Sequence, residues 1–283
     1  MSDSLLKSLF KTIYKHIPFK RPLYTLLRSF WSPPERLYRH LHFTGAFTVP
    51  VDSVRSFSIN HYGYQIENEV FWRGLSNSWE RESMKLWIKL CASSQIILDI
   101  GANTGIYALA AKCIQPKARV FAFEPHPLFF RKLEENIRLN AFDIVALEKA
   151  VSDNNDFVTI EDYSGNTPTL KTACLTLDSL IESYGLNRID LIKIDVEQHE
   201  PQVLAGFVTY LSRFKPTLLI EILTQQVAET VQKQVEGLGY LYFNIDENKG
   251  IRQTQRIEKS DYYNYLLCSA EVASTLGLTP SKR

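Results

Sequence analysis

The sequence predicts an α/β protein built on a largely parallel sheet with helices on both faces. Three observations carry that expectation. From Gln95 onward, short apolar runs alternate with segments whose apolar residues recur at helical spacing. The runs are apolar along most of their length, as strands buried on both faces are. The first run, Ile96-Ile97-Leu98, leads into Asp99-Ile100-Gly101-Ala102-Asn103-Thr104-Gly105-Ile106, an acid and a Gly-x-x-x-Gly turn that opens directly into a helical pattern. Ligands of open α/β sheets bind at this carboxyl edge, where backbone N–H groups at the helix start are unpaired.

The elements follow in order. Leu5, Leu6, Leu9, Phe10, Ile13 and Ile17 recur at helical spacing, with Lys7, Lys11 and Lys15 on another face. Pro18 and Pro22 are expected to interrupt this pattern, and Pro33-Pro34 to break the aromatic-basic stretch that follows. Up to His42, eight basic residues stand against Asp3 and Glu35, whereas the whole chain carries a net charge of only +1. Two readings are open: a helix that contacts a membrane surface or a partner, or one that lays its apolar face on the main domain. Residues 46–80 are turn-rich, with β-prone pieces at 56–59 and 62–66. A helix is expected over 78–90, and this region is expected to cap the site edge of the sheet. The resulting division is a basic amphipathic segment and cap over 1–80, and the main domain over 81–283.

Strands are expected at 96–100, 119–123, 144–151, 191–196, 217–222, 240–245 and 263–268. Helices are expected at 104–114, 127–140, 177–184, 198–211 and 225–238. The last two strands lack an intervening helix and should end the sheet as a hairpin-like pair. The interruption at 152–175 holds one strand-like piece, 157–160, and a loop at 162–168.

Composition narrows the function classes. With 45% apolar and 22% charged residues, the 283-residue chain has the make-up of an ordinary globular protein. The near-zero net charge gives no case for nucleic acid as partner. Cys91, Cys113, Cys174 and Cys268 form no Cys-x-x-Cys pair, so buried free thiols and a reducing cytoplasm are expected. No stretch reaches the roughly 18 apolar residues of a membrane span. The lysines of the first helix interrupt any signal-peptide core.

The candidate site residues lie at strand ends. Asp99 sits where a carboxylate is costly unless paired, and it would repel a pyrophosphate while suiting a ligand ammonium group. The turn Gly101, Ala102, Asn103 and Gly105 also lacks the middle glycine of a dinucleotide fingerprint, since that position is Asn103. S-adenosylmethionine is therefore expected over NAD. Asn103 or Thr104 is expected to cap the helix. Glu124, before Pro125, ends the second strand about 20 residues past the turn, where an acid can grip both ribose hydroxyls. Val151 ends the third strand, where an adenine would lie.

The densest cluster is Lys193-Ile194-Asp195-Val196-Glu197-Gln198-His199-Glu200. In a continued strand, Lys193, Asp195 and Glu197 share one side, a polar row that suits a cleft. His199 is expected on the first turn of the next helix. It has the unperturbed pKa best suited to take a proton from an attacking hydroxyl, with Asp195 or Glu197 as acceptor or orienting group and Lys193 fixing their charge. The Asp, Glu and His content would also permit a divalent metal as a minor alternative, but the spacing is not diagnostic of one and none is assigned. Glu221 ends the following strand on the same edge and is a candidate substrate contact.

Taken in order, LDIGANTG (98–105), AFEP (122–125), ENIRLN (135–140), LTLDSL (175–180), LIKIDVEQHE (191–200) and LIEI (219–222) resemble the FkbM-type methyltransferases. The resemblance covers about residues 75–225. It implies a Rossmann-like, seven-stranded class I methyltransferase sheet, mostly parallel, with one antiparallel strand near the C-terminus. It also implies S-adenosyl-L-methionine as donor and O-methylation of sugars, glycans or polyketide-like products. By position, Asp99, Gly101 and Glu124 would hold the cofactor, and Lys193, Asp195, Glu197, His199 and Glu200 would belong to the fourth-strand signature. The family usually reads Asp-Val-Glu-Gly-His-Glu, and Gln198 replaces the glycine here. Gln198 and Glu200, with Glu221, are taken as the acceptor side. Two alternatives remain at this point, a nicotinamide-dependent oxidoreductase and a non-catalytic cofactor-binding subunit.

Overall fold

The structure, a computed structural model, describes residues 19–162 and 168–278. The amphipathic pattern from Leu5 to Ile17 and the middle of the 162–168 loop lie outside the described residues.

In chain order, α1 (Lys20–Leu27) and α2 (Glu35–Tyr38) precede β1 (Gly45–Pro50), β2 (Ser56–His61), α3 (Gln65–Arg73) and α4 (Arg81–Cys91). Then come β3 (Ile96–Ile100), α5 (Ile106–Ile114), β4 (Arg119–Phe123), α6 (Pro127–Leu139), β5 (Ile144–Leu147), β6 (Ala150–Val151), β7 (Phe157–Glu161) and β8 (Thr169–Leu175). The chain continues through α7 (Leu177–Tyr184), β9 (Leu191–Ile194), α8 (Glu200–Ala205), α9 (Val208–Phe214), β10 (Thr217–Glu221) and α10 (Gln225–Val235). It closes with β11 (Leu241–Asp246), β12 (Gly250–Thr254), β13 (Asn264–Cys268) and α11 (Ala270–Thr275).

The main sheet has the order β12-β11-β13-β10-β9-β3-β4-β5. Strands β5, β4, β3, β9 and β10 are parallel, and β13 runs antiparallel between β10 and β11. The connections reverse direction across the sheet at β3 and β9, the switch point at which such sheets bind ligands. An eighth strand, β12, adds a second antiparallel member at the edge. Its Gly-Ile-Arg-Gln-Thr sequence lacks the apolar run of a central strand, so no pattern marks it as one.

Alternation along the strands splits the core in two. Ile97, Val120, Ala122 and Leu219 pack with α4, α5 and the N-terminal aromatic residues. Ile96, Leu98, Ile100, Phe121, Ile192 and Ile220 pack against α7, α8 and α10. Burying both faces demands apolar residues at nearly every central strand position, so Asp99 and Lys193 stand out. The first cluster also takes in Phe43, Phe47, Phe71 and Trp87, so the N-terminal elements share a core with the sheet.

Several expectations need correction. The strand expected at 144–151 is two, because the chain leaves the main sheet and β6 pairs in parallel with β8 in a small β6-β8-β7 sheet. Strand β8 was not anticipated. The piece at 62–66 is not a strand: Gly63 turns at φ 99° and α3 starts at Gln65. The helix expected at 198–211 is broken at Gly206, where a Cβ would lie 2.0 Å from the Ser152 carbonyl oxygen. Pro22 does not interrupt α1 but sits in its first turn, where backbone N–H groups have no helical partner to lose. All four cysteines are buried and free. Among the described residues, no helix is long and apolar enough to cross a membrane.

Candidate active site

A cavity of about 660 Å³ opens at the carboxyl ends of β3, β4 and β9. Its wall includes residues 99–103, Glu124, Pro125, Val151, Lys193 and residues 195–199. Most of the expected site residues are therefore brought together. Gly105, Glu200 and Glu221 are not in the wall.

The glycine turn after β3 is held by backbone hydrogen bonds. The N–H groups of Gly101 and Ala102 both donate to the Phe123 carbonyl, at 3.0 and 2.9 Å, tying the turn to the end of β4. Asp99 is fully buried. Its Oδ2 accepts from the Ala108 N–H at 2.9 Å, while Oδ1 is buried without a hydrogen-bond partner. Burial pushes the Asp99 carboxyl up to about 6, against the opposing pull of the Lys193 ammonium. Glu124 accepts from the Asn103 N–H through Oε2 and from the His126 N–H through Oε1, both at 2.8 Å. Its carboxyl is pushed up to about 7, again chiefly by burial. Glu124 thus braces the turn as well as lining the cavity.

Neither Asn103 nor Thr104 caps α5, because Gly105 (φ 94°) directly precedes the helix with no side-chain cap. Asn103 sits at φ 50° in the cavity wall, and the Thr104 hydroxyl donates to Glu67 of α3 at 3.2 Å. Gly105 has a packing role instead: a Cβ there would come within 2.6 Å of Leu133 Cδ1.

The turn after β9 departs further from expectation. Strand β9 ends at Ile194, so the polar row does not run on to Glu197. Lys193 Nζ lies 2.6 Å from Asp195 Oδ2 and 4.5 Å from the centre of the Tyr107 ring. Burial opposes the lysine's charge, but Asp195, Glu80 and Asp99 outweigh it and hold the ammonium protonated. Glu197 and Gln198 both adopt positive φ, 53° and 76°. The position at which the family carries glycine thus keeps a glycine-like backbone with glutamine in it. Glu200 pins this turn from behind, its Oε1 accepting from the Val196 and Gln198 N–H groups at 3.2 and 3.3 Å. Burial, chiefly, pushes its carboxyl up to about 7. Glu221 lies behind the wall too, pushed up to about 9 by burial and by Asp195 and Glu197.

His199 is the residue before α8 and not part of its first turn. Its Nε2 lies 2.9 Å from Ser152 Oγ, and Ser152 Oγ lies 3.2 Å from Asp153 Oδ1. A hydroxyl that donates to Asp153 is left to accept from Nε2–H, which selects the tautomer with its lone pair on Nδ1. Burial lowers the imidazole pKa, against the pull of Asp153, and so favours the neutral ring.

Sequence reasoning missed Glu80 and Tyr107, which line the cavity and are joined by a 2.6 Å bond from the Tyr107 hydroxyl to Glu80 Oε2. Only the fold brings Glu80 to β9, so no local pattern announces it. Ser152 left a signal, a polar residue closing the apolar Ala150-Val151 pair.

An open sheet with this switch point, a glycine turn after its central strand and a carboxylate-rich cleft above it defines a Rossmann-like methyltransferase. A family model of the methyltransferase FkbM domain matches residues 99–259, more than half of the chain, and the chain belongs to that family. It is 28% identical over 180 residues to the hexuronic acid methyltransferase AglP of Haloferax volcanii, covering 59% of this chain and 72% of that protein. It is also 28% identical over 142 residues to the 2-O-methyltransferase NoeI of Sinorhizobium fredii, covering 39% of this chain and 56% of NoeI. The 31-O-demethyl-FK506 methyltransferase FkbM of Streptomyces tacrolimicus is 27% identical over 152 residues, 39% of this chain and 58% of that one. The chain thus spans little more than half the length of the latter two. Its cofactor is S-adenosylmethionine. The cavity fits that cation: the unpartnered Asp99 Oδ1 is an acceptor for an ammonium group, directly or through water, and the surrounding carboxylates favour positive charge.

Proposed function

We propose that the chain methylates a hydroxyl of a sugar, a glycan or glycolipid, or a natural product. The observation that carries this reading is the meeting, in one cavity, of a donor-side turn and a Ser152-held His199. Asp99, Gly101, Ala102, Asn103, Glu124, Pro125 and Val151 would hold the cofactor. When bound, S-adenosylmethionine supplies an electrophilic methyl group on a sulfonium. The Asp195, Glu197 and His199 cluster would take the proton of the acceptor hydroxyl as that oxygen is methylated. His199 Nδ1 is the atom we assign, since the Ser152 contact at Nε2 leaves the lone pair on that nitrogen. Lys193 fixes Asp195 by their ion pair, and Gln198 lines the acceptor side. In-line placement between donor and base contributes more than the base itself. The names of AglP and NoeI, a hexuronic acid and a 2-O-methyltransferase, support an oxygen acceptor of the sugar class.

Calorimetry with S-adenosylmethionine and S-adenosylhomocysteine tests the donor half. Transfer of a labelled methyl group to a panel of free sugars, glycolipids and hydroxylated natural products tests the acceptor half. Binding without transfer to any hydroxyl would favour a non-catalytic subunit, and absence of binding would end the donor assignment.

A further inference from the structure

Helix α1 is anchored on the main core through Tyr24 and Leu27. Tyr24 is buried against the rings of Phe43 and Trp72, at 6.5 and 5.4 Å between centroids, and Leu27 packs on the same core. The Arg28 guanidinium donates to the Phe71 carbonyl at 2.8 Å and lies over the Phe71 ring. Elsewhere on the helix, Leu23 and Leu26 are 50% and 62% exposed. About one turn to either side stand Phe19, 80% exposed, and Phe30, 70% exposed. Trp31 and Leu37 follow in sequence, so six of the twelve large exposed apolar side chains of the described residues fall within 19–37. Scattered single residues of this kind are ordinary, but half of them gathered in one short stretch point to a contact surface.

We infer that this stretch docks on an anionic lipid surface. Exposed Arg21, Arg36 and Arg39 accompany these residues, within the segment whose basic residues outnumber its acids by six. Exposed phenylalanine, tryptophan and leucine with arginines among them is the make-up of helices that lie in the headgroup region. A second copy is the weaker occupant, because a two-fold contact would set this basic patch against itself. The Tyr24 anchor also links this stretch to the site, since Trp72 and the cavity-lining Ile66 belong to the same helix, α3. The inference does not depend on the identity of the methyl acceptor.

The test is co-sedimentation of the full chain with vesicles of phosphatidylcholine alone and of phosphatidylcholine with phosphatidylserine, at low and high salt. Binding is expected to the anionic vesicles, weakened by salt and about tenfold or more by either Leu23→Glu/Leu26→Glu or Arg21→Glu/Arg36→Glu/Arg39→Glu. Lipids brominated on their acyl chains should quench Trp31 fluorescence, and Trp31→Phe should remove that quenching. Unchanged S-adenosylmethionine affinity and melting temperature in the variants shows that they are folded, and separates this result from the methyl-transfer assignment. Absent vesicle binding, equal binding to both vesicles, or variants that bind like wild type would each overturn it. So would a concentration-dependent dimer that Leu23→Glu/Leu26→Glu abolishes in a chain that ignores vesicles.

Discussion

A Cβ on Gly101 would lie 1.8 Å from the carbonyl oxygen of Asp195. The glycine turn after β3 and the exit of β9 are therefore in backbone contact, and the Asp195 N–H donates to the Ile100 carbonyl at 3.1 Å just below. Gly101 also sits at φ 84°. Backbone cannot yield as a flexible side chain does, so Gly101→Ala should cost about 3 kcal/mol or more. Denaturant unfolding measures this. A variant as stable as wild type would show that the two strand ends can separate.

Cofactor affinity should fall as pH drops through about 7 and then about 6. Glu124 and Asp99 take up protons there, and a neutral carboxyl no longer attracts a cationic ligand. Calorimetry between pH 5 and 8 reads the effect (roughly the range in which these groups titrate). Asp99→Asn should flatten the lower part of the curve and weaken binding about tenfold or more at pH 7.5. A pH-independent affinity would place the cofactor away from both acids.

Replacing His199 with alanine should lower kcat about 100-fold or more while leaving cofactor affinity unchanged. Because burial lowers its pKa, the acid limb of the rate profile should fall below the ordinary histidine value of about 6.5. Ser152→Ala should keep the base but free its tautomer, giving a smaller kcat loss and a displaced acid limb. If Ser152→Ala changed stability alone, with the profile unmoved, Ser152 would be structural.

Gln198→Gly should stabilise the chain by up to about 1 kcal/mol, because glutamine bears the cost of a left-handed backbone at φ 76°. Thermal unfolding monitors the gain, and S-adenosylmethionine affinity should stay the same. A loss of stability would mean that the glutamine side chain makes a contact worth more than the strain.

The sheet was legible because burial on both faces writes each central strand as an apolar run, and Asp99, Glu124 and Lys193 could be placed at strand ends by interrupting or closing such runs. Edge and satellite strands lack that signature, so β12 and β8 passed as loops. The site was legible only where its residues are neighbours in sequence. Glu80 reaches the site through tertiary packing. The turn after β9 deceived for another reason: Glu197 and Gln198 take positive φ, which no side-chain pattern encodes, and the polar row therefore ends one residue past the strand. Glu200, which looks like part of the reactive cluster, instead supplies the acceptor that holds this unusual turn together.

The small sheet beside the site has a consequence of its own. Residues 158–161 of β7 line the cavity, yet the pairing of this hairpin with β6 is only two residue pairs long, Ala150 with Cys174 and Val151 with Leu175. Chain length added at the 162–168 connection would cost little closure entropy and disturb no strand of the main sheet. One wall of the cavity is thus modular. Insertions and exchanges there would reshape that wall while the glycine turn after β3, locked by backbone contact, stays as it is.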